Sequence, residues 1–161
     1  MPKAFRIDVV IASLCAIVLF ASTFADWYLV RAVIPHGFAW NAKQDFLRVA
    51  VSPWQGDKAL AAGLVIFGAG TVASMILGET EKLGRPLAAA LSVLTALTAV
   101  ALFVGKLAAA TSASVGMMDV SWSPLAAFYV AVGAAAALLV TSAVFLYRNT
   151  RSISIASSPS A

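Results

Sequence analysis

Cysteine and histidine are almost missing from this sequence, which limits the chemistry open to it. Cys15 is the single cysteine and His36 the single histidine among 161 residues. A lone thiol cannot close a disulfide within the chain and excludes metal motifs built on pairs of cysteines. A lone imidazole excludes a zinc site made of several histidines. Because no nucleophile or ligand motif accompanies either residue, we predict no catalytic residue, no metal site, no cofactor and no enzymatic activity.

Charged residues are scarce as well. They make up 11% of the chain, against about 25% in a typical soluble domain, whereas 61% of the residues are hydrophobic. A soluble fold of this length would have to expose much of that apolar surface to water. The net charge is +4, but the basic residues are scattered and form no stripe for nucleic acid. The composition predicts a lipid bilayer as the surroundings of this protein.

Four long apolar runs account for most of the chain, over residues 9–25, 59–77, 87–104 and 125–147. They are apolar all round, unlike the helices on the surface of a soluble protein. Backbone groups in lipid must be satisfied within the segment, which favours helices. The runs therefore predict an all-α membrane protein, a four-transmembrane-helix bundle over residues 1–150, followed by a disordered cytoplasmic tail over 151–161.

Basic residues near the ends of the runs predict the orientation. They are denser on the side that holds both termini, which favours both termini in the cytoplasm and a multi-pass protein of the plasma (inner) membrane. An alternative is that Lys3, Arg6 and the first run form a secretory signal cleaved before Asp26, which would leave three spans. The basic residues assigned to the cytoplasmic side are Lys3, Arg6, Lys82, Arg85, Arg148 and Arg151.

The outer loop, residues 26–58, is the one sizeable polar element. Asn41 is a candidate N-cap with Gln44 three residues later, and the apolar residues that follow predict a short interfacial helix lying on the bilayer. Aromatic residues in the loop are typical of a belt at headgroup depth, or else form a platform for a lipid or protein partner. The candidates for interface or partner contact are Trp27, Tyr28, His36, Trp40, Phe46, Trp54 and, before the last run, Trp122.

Inside the runs there is no Asp, Glu, Lys, Arg or His, which argues against a channel or a proton-coupled transporter formed by this chain alone. Small residues recur there at four-residue spacing and let helix backbones approach closely. They either hold the four helices together or receive a separate membrane protein. The helix-packing candidates are Gly70, Ser74, Gly78, Gly133, Ala137 and Thr141.

The order of features resembles a group of small four-helix membrane proteins common in actinobacteria. The features are an aromatic cluster over residues 24–28 after the first run, a short basic turn over 79–86, and a tryptophan segment over 120–123 before the last run. The resemblance covers nearly the whole chain and rests on architecture. The group has no established activity, so the resemblance implies a fold and no function.

These observations predict a non-enzymatic accessory or scaffold subunit of a larger membrane complex. Its expected partners are the bilayer and other integral membrane proteins, with no nucleic acid. The alternative is a carrier or channel component for an apolar or lipid-like solute, because walls without charge suit such a cargo.

Overall fold

The computed structural model describes residues 7–33, 45–80, 82–108, 112–115 and 118–156. Two pairs of strands interrupt the succession of helices along the chain. In chain order the elements are α1 (Ile7–Ser22), β1 (Tyr28–Val33), β2 (Asp45–Val51), α2 (Pro53–Gly56), α3 (Lys58–Glu79), α4 (Arg85–Ala108), β3 (Ser112–Val115), β4 (Met118–Pro124) and α5 (Ala126–Ala156).

Within the described part of the chain, three helices are long and apolar enough to cross a membrane: Lys58–Glu79, Arg85–Lys106 and Ala126–Thr150. They confirm the helices predicted over 59–77, 87–104 and 125–147. The first predicted run, 9–25, is helical only as far as Ser22, and α1 has only 16 residues. At 1.5 Å per residue it is about 24 Å long, somewhat shorter than the hydrocarbon core of a bilayer.

The three long helices and the shorter α1 pack together: α1 packs on α3 and α5, α3 packs on α4, and α4 packs on α5. We call this group of four helices the bundle. The buried positions recur every three and four residues, the spacing of a left-handed coiled-coil seam. This seam is invisible in the hydropathy of the runs, because the residues outside it are apolar too. It consists of Ala61, Leu64, Gly68, Thr71, Met75 and Gly78 on α3, and of Phe128, Ala131, Ala135, Leu138, Ser142, Phe145 and Asn149 on α5.

A four-stranded antiparallel sheet stands at the end of the bundle where α1 ends and α3 begins. We call this end the sheet end and the other the opposite end. The strand order is β2-β1-β4-β3, so the two hairpins meet through β1 and β4. In register, Val30 lies opposite Val49 on one neighbour and Trp122 on the other. The sheet therefore joins the segment between α1 and α3 to the segment between α4 and α5.

Three sequence predictions are wrong here. The fold is mostly helical but not all-α, because the chain also forms the four-stranded sheet. The interfacial helix expected from Asn41 onward is not formed over residues 45–51, which are strand β2. The apolar positions of this segment are compatible with either a helix or a strand. The strand is favoured because pairing with β1 satisfies backbone groups that an isolated short helix would leave without partners. The disordered tail expected over 151–161 is also wrong in part, because α5 continues to Ala156; residues 157–161 lie outside the described residues.

Candidate functional site: the sheet and its junction with the bundle

Trp27 lies at the centre of the junction between sheet and bundle. It is completely buried, and its ring stacks on Phe103 of α4 with 5.4 Å between centroids and meets Phe128 of α5 edge-on at 5.6 Å. Its indole Nε1 donates a hydrogen bond of 2.7 Å to the carbonyl oxygen of Ser22. Burial of this ring contributes a large apolar area, and the hydrogen bond satisfies its one polar group.

The backbone of Trp27 ties the same junction together. Its N–H donates to the carbonyl of Val51 at the end of β2 over 3.0 Å, and its carbonyl accepts from the N–H of Leu125 just before α5 over 2.7 Å. One residue thus connects the end of α1, the last residue of β2 and the start of α5. The sheet is consequently fixed to the helices rather than hanging on loops.

An ion pair lies beside this junction. Lys106 Nζ of α4 is 2.9 Å from Asp57 Oδ2, and both side chains are about one-third exposed. Asp57 is also the N-cap of α3, since its Oδ1 accepts a hydrogen bond from the N–H of Leu60 at 3.1 Å. The hydrogen bond from Lys106 is the main cause that lowers the pKa of Asp57 below its ordinary value. The pair therefore links α3 to α4 at the sheet end.

Tyr28 faces the same region from the first position of β1. Its hydroxyl oxygen is buried and has no hydrogen-bond partner among the described residues. Burial, followed by the negative charge of Asp57, raises the pKa of Tyr28 to about 12. The phenol is therefore protonated throughout the physiological range and serves as a packed aromatic side chain, with its ring 5.4 Å from that of Phe128.

The two sides of the sheet differ in chemistry. Residues directly opposite each other in an antiparallel sheet have side chains on the same side. One side carries the row Val30, Val49 and Trp122, together with Tyr28 next to the bundle. The other side carries Arg31, directly opposite Arg48 on β2 and opposite Ser121 on β4. Both arginines are exposed.

At the opposite end, α1 and α5 are joined by a second ion pair. Arg148 Nη1 donates to Asp8 Oδ1 over 2.9 Å. The aspartate side chain is 3% exposed, whereas that of the arginine is 58% exposed. The pair thus combines a buried carboxylate with a guanidinium that reaches the surface. The second carboxylate oxygen, Oδ2, is buried and accepts no hydrogen bond from any described residue.

The aromatic contact candidates fall into different environments. Trp27 is core, so its assignment to a headgroup belt or a partner surface is wrong. Trp54 is half-buried and donates from Nε1 to Thr23 Oγ1 at 3.0 Å, and Trp122 is 36% exposed on the sheet. Phe46 is part of β2. His36 and Trp40 lie outside the described residues.

The helix-packing candidates also divide. A Cβ placed on Gly78 would lie 2.7 Å from the Cβ of Ala88, so α3 and α4 approach closely there. Gly70 lies near Thr95 of α4, and the Oγ of Ser74 donates to its own helix at Gly70. Gly133 has open space where a Cβ would be, and Ala137 and Thr141 are only half-buried. The stripe on α3 therefore packs against α4, whereas that on α5 begins on the outside of the bundle.

Several polar contacts were not singled out from the sequence. They are the Asp57–Lys106 and Asp8–Arg148 pairs, the Arg31–Arg48 alignment and the hydrogen bond of 2.9 Å between the hydroxyls of Thr71 and Thr95 across α3 and α4. Asp57 immediately before an apolar run is a recognisable N-cap signal. The other partners are far apart in the sequence, and only the fold pairs them.

Within the described ranges, no group of three His, Cys, Asp or Glu side chains is close enough to hold a metal ion. Comparison with protein-family models, with curated proteins and with solved structures finds nothing similar to this chain. The argument for function therefore rests on the geometry of the sheet and its junction.

Proposed function

We propose that this chain is a four-span membrane protein with a non-enzymatic role, an accessory or scaffold subunit that offers its sheet to a larger membrane protein. The observation that carries the proposal is the attachment of the sheet through Trp27. Its stacked ring and its two backbone hydrogen bonds give the sheet a fixed position on the bundle. A surface held in one geometry loses less conformational freedom when it binds a partner.

The proposal that α1 is the fourth span rests on its place in the bundle. It packs along α3 and α5, and the side chains that it turns outward are apolar, including Ile11, Leu14 and Ile17. Those side chains are stable in contact with lipid and costly in water. A bilayer adjusts to a helix a few ångströms too short by local thinning.

In the proposed topology the helices cross the plasma (inner) membrane, the sheet lies outside the cell, and both termini lie in the cytoplasm. The test replaces Cys15 with Ala and introduces single cysteines at Arg31 on the sheet and at Thr150 near the end of α5. A membrane-impermeant maleimide added to intact cells is expected to label position 31 and to reach position 150 only after the cells are broken. Labelling of both positions in intact cells would contradict the four-span arrangement.

The accessory role is tested by purification from native membranes in a mild detergent, with the chain expressed at its natural level. We expect one or more integral membrane proteins to be retained in a fixed ratio to this chain. The matched control is the Trp27→Ala variant, which keeps the spans and loosens the attachment of the sheet, and should retain less partner. Recovery of the unmodified chain alone, together with solute movement in liposomes, would favour the carrier alternative instead.

A further inference from the structure

A row of large apolar side chains runs along the outer side of α1. Successive members are three or four residues apart, so they share one side of the helix. Leu14 and Ile17 are 58% and 61% exposed, and no charged residue lies between Val9 and Ala25. Such a row is costly in water and stable against lipid. It consists of Ile7, Val10, Leu14, Ile17, Phe20 and Phe24.

This row continues past the last residue of α1. The N–H groups of Thr23, Phe24 and Ala25 donate to the carbonyls three residues earlier, over 3.1, 3.2 and 3.1 Å, which is the pattern of a 3₁₀ turn. At about 2 Å per residue the turn adds about 6 Å beyond Ser22. The helix and the turn together are about 30 Å long, close to the thickness of the hydrocarbon core. When this segment fills the core, the ring of Phe24 lies at its edge.

Three rings meet at this level, those of Phe20, Phe24 and Trp54. Phe24 lies edge-on to Phe20 with 5.1 Å between ring centroids, and 6.1 Å from Trp54 of α2. The indole N–H of Trp54 donates to Thr23 Oγ1 over 3.0 Å, which holds this ring on the end of α1. Phe20 and Phe24 are 47% and 63% exposed, and Trp54 is half-buried. We call the three rings the aromatic platform.

Charged residues follow the aromatic platform in both segments that contribute to it. Asp26 comes two residues after Phe24 and is exposed. Lys58, also exposed, comes four residues after Trp54 and is the first residue of α3, one of the helices long and apolar enough to cross a membrane. The platform therefore lies where a span begins, between the apolar row and the first charges. Tryptophan is typical of this boundary between hydrocarbon and water.

We propose that the aromatic platform binds the boundary between acyl chains and headgroups in the leaflet on the sheet side, and so fixes the depth of the sheet end in the bilayer. This rests on the proposed function, in which α1 is the fourth span. In this arrangement Phe20 lies among the acyl chains, and Phe24 and Trp54 lie at their headgroup ends. Because β1 begins four residues after Phe24 and β2 ends three residues before Trp54, the same contact holds the base of the sheet at the bilayer surface.

A membrane helix of a partner, or of a second copy of this chain, fits the surface less well than lipid does. Close packing of helices in a membrane uses small residues, and the row on α1 contains no Gly, Ala or Ser. A soluble partner would cover the aromatic platform and leave the rest of the row without cover. Lipid covers the platform and the row together.

The test measures depth at two positions of α1 and its turn. In a Cys15→Ala background, a single cysteine at Phe24 or at Leu14 carries the fluorophore bimane, and the full chain is reconstituted in phosphatidylcholine liposomes. The liposomes contain lipid with a quenching nitroxide either beside the headgroup or at the end of the acyl chain. Leu14 lies about 16 Å from Phe24, near the middle of the hydrocarbon core. We expect the headgroup nitroxide to quench position 24 at least twofold more than the chain-end nitroxide, and the reverse order at position 14.

The two positions separate this inference from the proposed function. If position 14 gives the expected order and neither nitroxide quenches position 24, this inference fails and the four-span arrangement stands. If neither nitroxide quenches position 14, α1 is not a span and the proposed arrangement has itself failed. Stronger quenching of position 24 by the chain-end nitroxide would place the aromatic platform inside the hydrocarbon and would also overturn the inference.

Photo-crosslinking in native membranes identifies what covers the aromatic platform. With p-benzoylphenylalanine in place of Phe24, we expect the intact chain to gain the mass of one phospholipid. The matched control carries the same group in place of Asp26, two residues further on and exposed, and should give at least threefold less lipid adduct. Circular dichroism and thermal unfolding establish that both proteins are folded. An adduct with another protein, a product of twice the mass of this chain, or no lipid adduct would overturn the assignment of the platform to lipid.

Discussion

The two ends of the bundle are held together by different chemistry. At the sheet end the helices meet around Trp27, Phe103 and Phe128, whose rings lie within 6 Å of one another. At the opposite end they are joined by the Asp8–Arg148 ion pair and by the close approach of Gly78 to Ala88. The sheet end therefore relies mainly on buried aromatic area, with the Asp57–Lys106 pair beside it. At the opposite end, a buried carboxylate and a close approach of two helices contribute to the packing.

The two kinds of contact differ in how they respond to solution conditions and to substitution. Aromatic packing is insensitive to salt and pH and suits a junction that fixes the sheet to the helices. An ion pair with one exposed partner is weaker in water but penalises any arrangement that leaves its buried carboxylate alone. The effects of substitutions should therefore be large at the sheet end and asymmetric within the pair at the opposite end.

The largest effect is expected at Trp27. Trp27→Ala removes a completely buried ring and is expected to lower the free energy of unfolding by about 3–5 kcal/mol. The thermal midpoint in detergent should fall by on the order of 10 °C. Trp122→Ala, at a partly exposed tryptophan of the sheet, is the control and should change the midpoint much less. Equal effects of the two substitutions would mean that the junction is not the core of the sheet end.

The Asp8–Arg148 pair should respond unequally to loss of either partner. Arg148→Ala leaves a carboxylate that is 3% exposed without its cation and is expected to destabilise by about 2–3 kcal/mol. Asp8→Asn leaves the guanidinium, which is 58% exposed, in contact with water and should cost about 1 kcal/mol. Unfolding of both variants and of the double variant measures the coupling. If Asp8→Asn proved the more harmful, the carboxylate would have a role beyond this pair.

Gly78 and Gly133, which lie on the small-residue stripes of α3 and α5, should respond in opposite ways to replacement by alanine. Gly78→Ala places a methyl group 2.7 Å from the Cβ of Ala88, so α3 and α4 must move apart. We expect this to lower the free energy of unfolding by about 1–3 kcal/mol. At Gly133, which has open space around it, alanine should stabilise the helix by up to about 1 kcal/mol. Thermal unfolding of the two variants in the same detergent gives the comparison. Destabilisation by Gly133→Ala would indicate that an unseen neighbour packs against α5.

The long helices could be predicted from the sequence because the length of an uninterrupted apolar run is enough to identify them. The runs over 59–77, 87–104 and 125–147 lie within α3, α4 and α5 apart from Leu125, which directly precedes α5. The bundle seam could not be predicted, since residues such as Ala131 on the seam and Val130 outside it are equally apolar; burial distinguishes them only after the helices are packed.

The strands were missed for a different reason. β1 and β2 are short and carry apolar residues on both sides near the bundle, so the alternation that marks a half-exposed strand is incomplete. The pairing of β1 with β4 spans most of the chain, and no local pattern encodes such a contact. The same applies to Trp27, where aromatic character beside a span is typical of a headgroup belt and only the neighbours Phe103 and Phe128 place it in the core.

The smallest expected effect is a pH-dependent change in stability at the Asp57–Lys106 pair of the sheet end. The hydrogen bond from Lys106 keeps the pKa of Asp57 in the folded protein below its ordinary value. The pair therefore adds stability above the ordinary pKa of an aspartate and loses it as the pH falls through the lower, folded-state pKa. Asp57→Asn keeps an N-cap for α3 and removes only the charge, so it isolates this contribution. Because both side chains are about one-third exposed, the expected loss at pH 7 is about 0.5 kcal/mol. The thermal midpoints of the two proteins should converge once the pH falls below the lowered, folded-state pKa of Asp57. A difference that grew on acidification would show that Asp57 is stabilised as the neutral acid and not by Lys106.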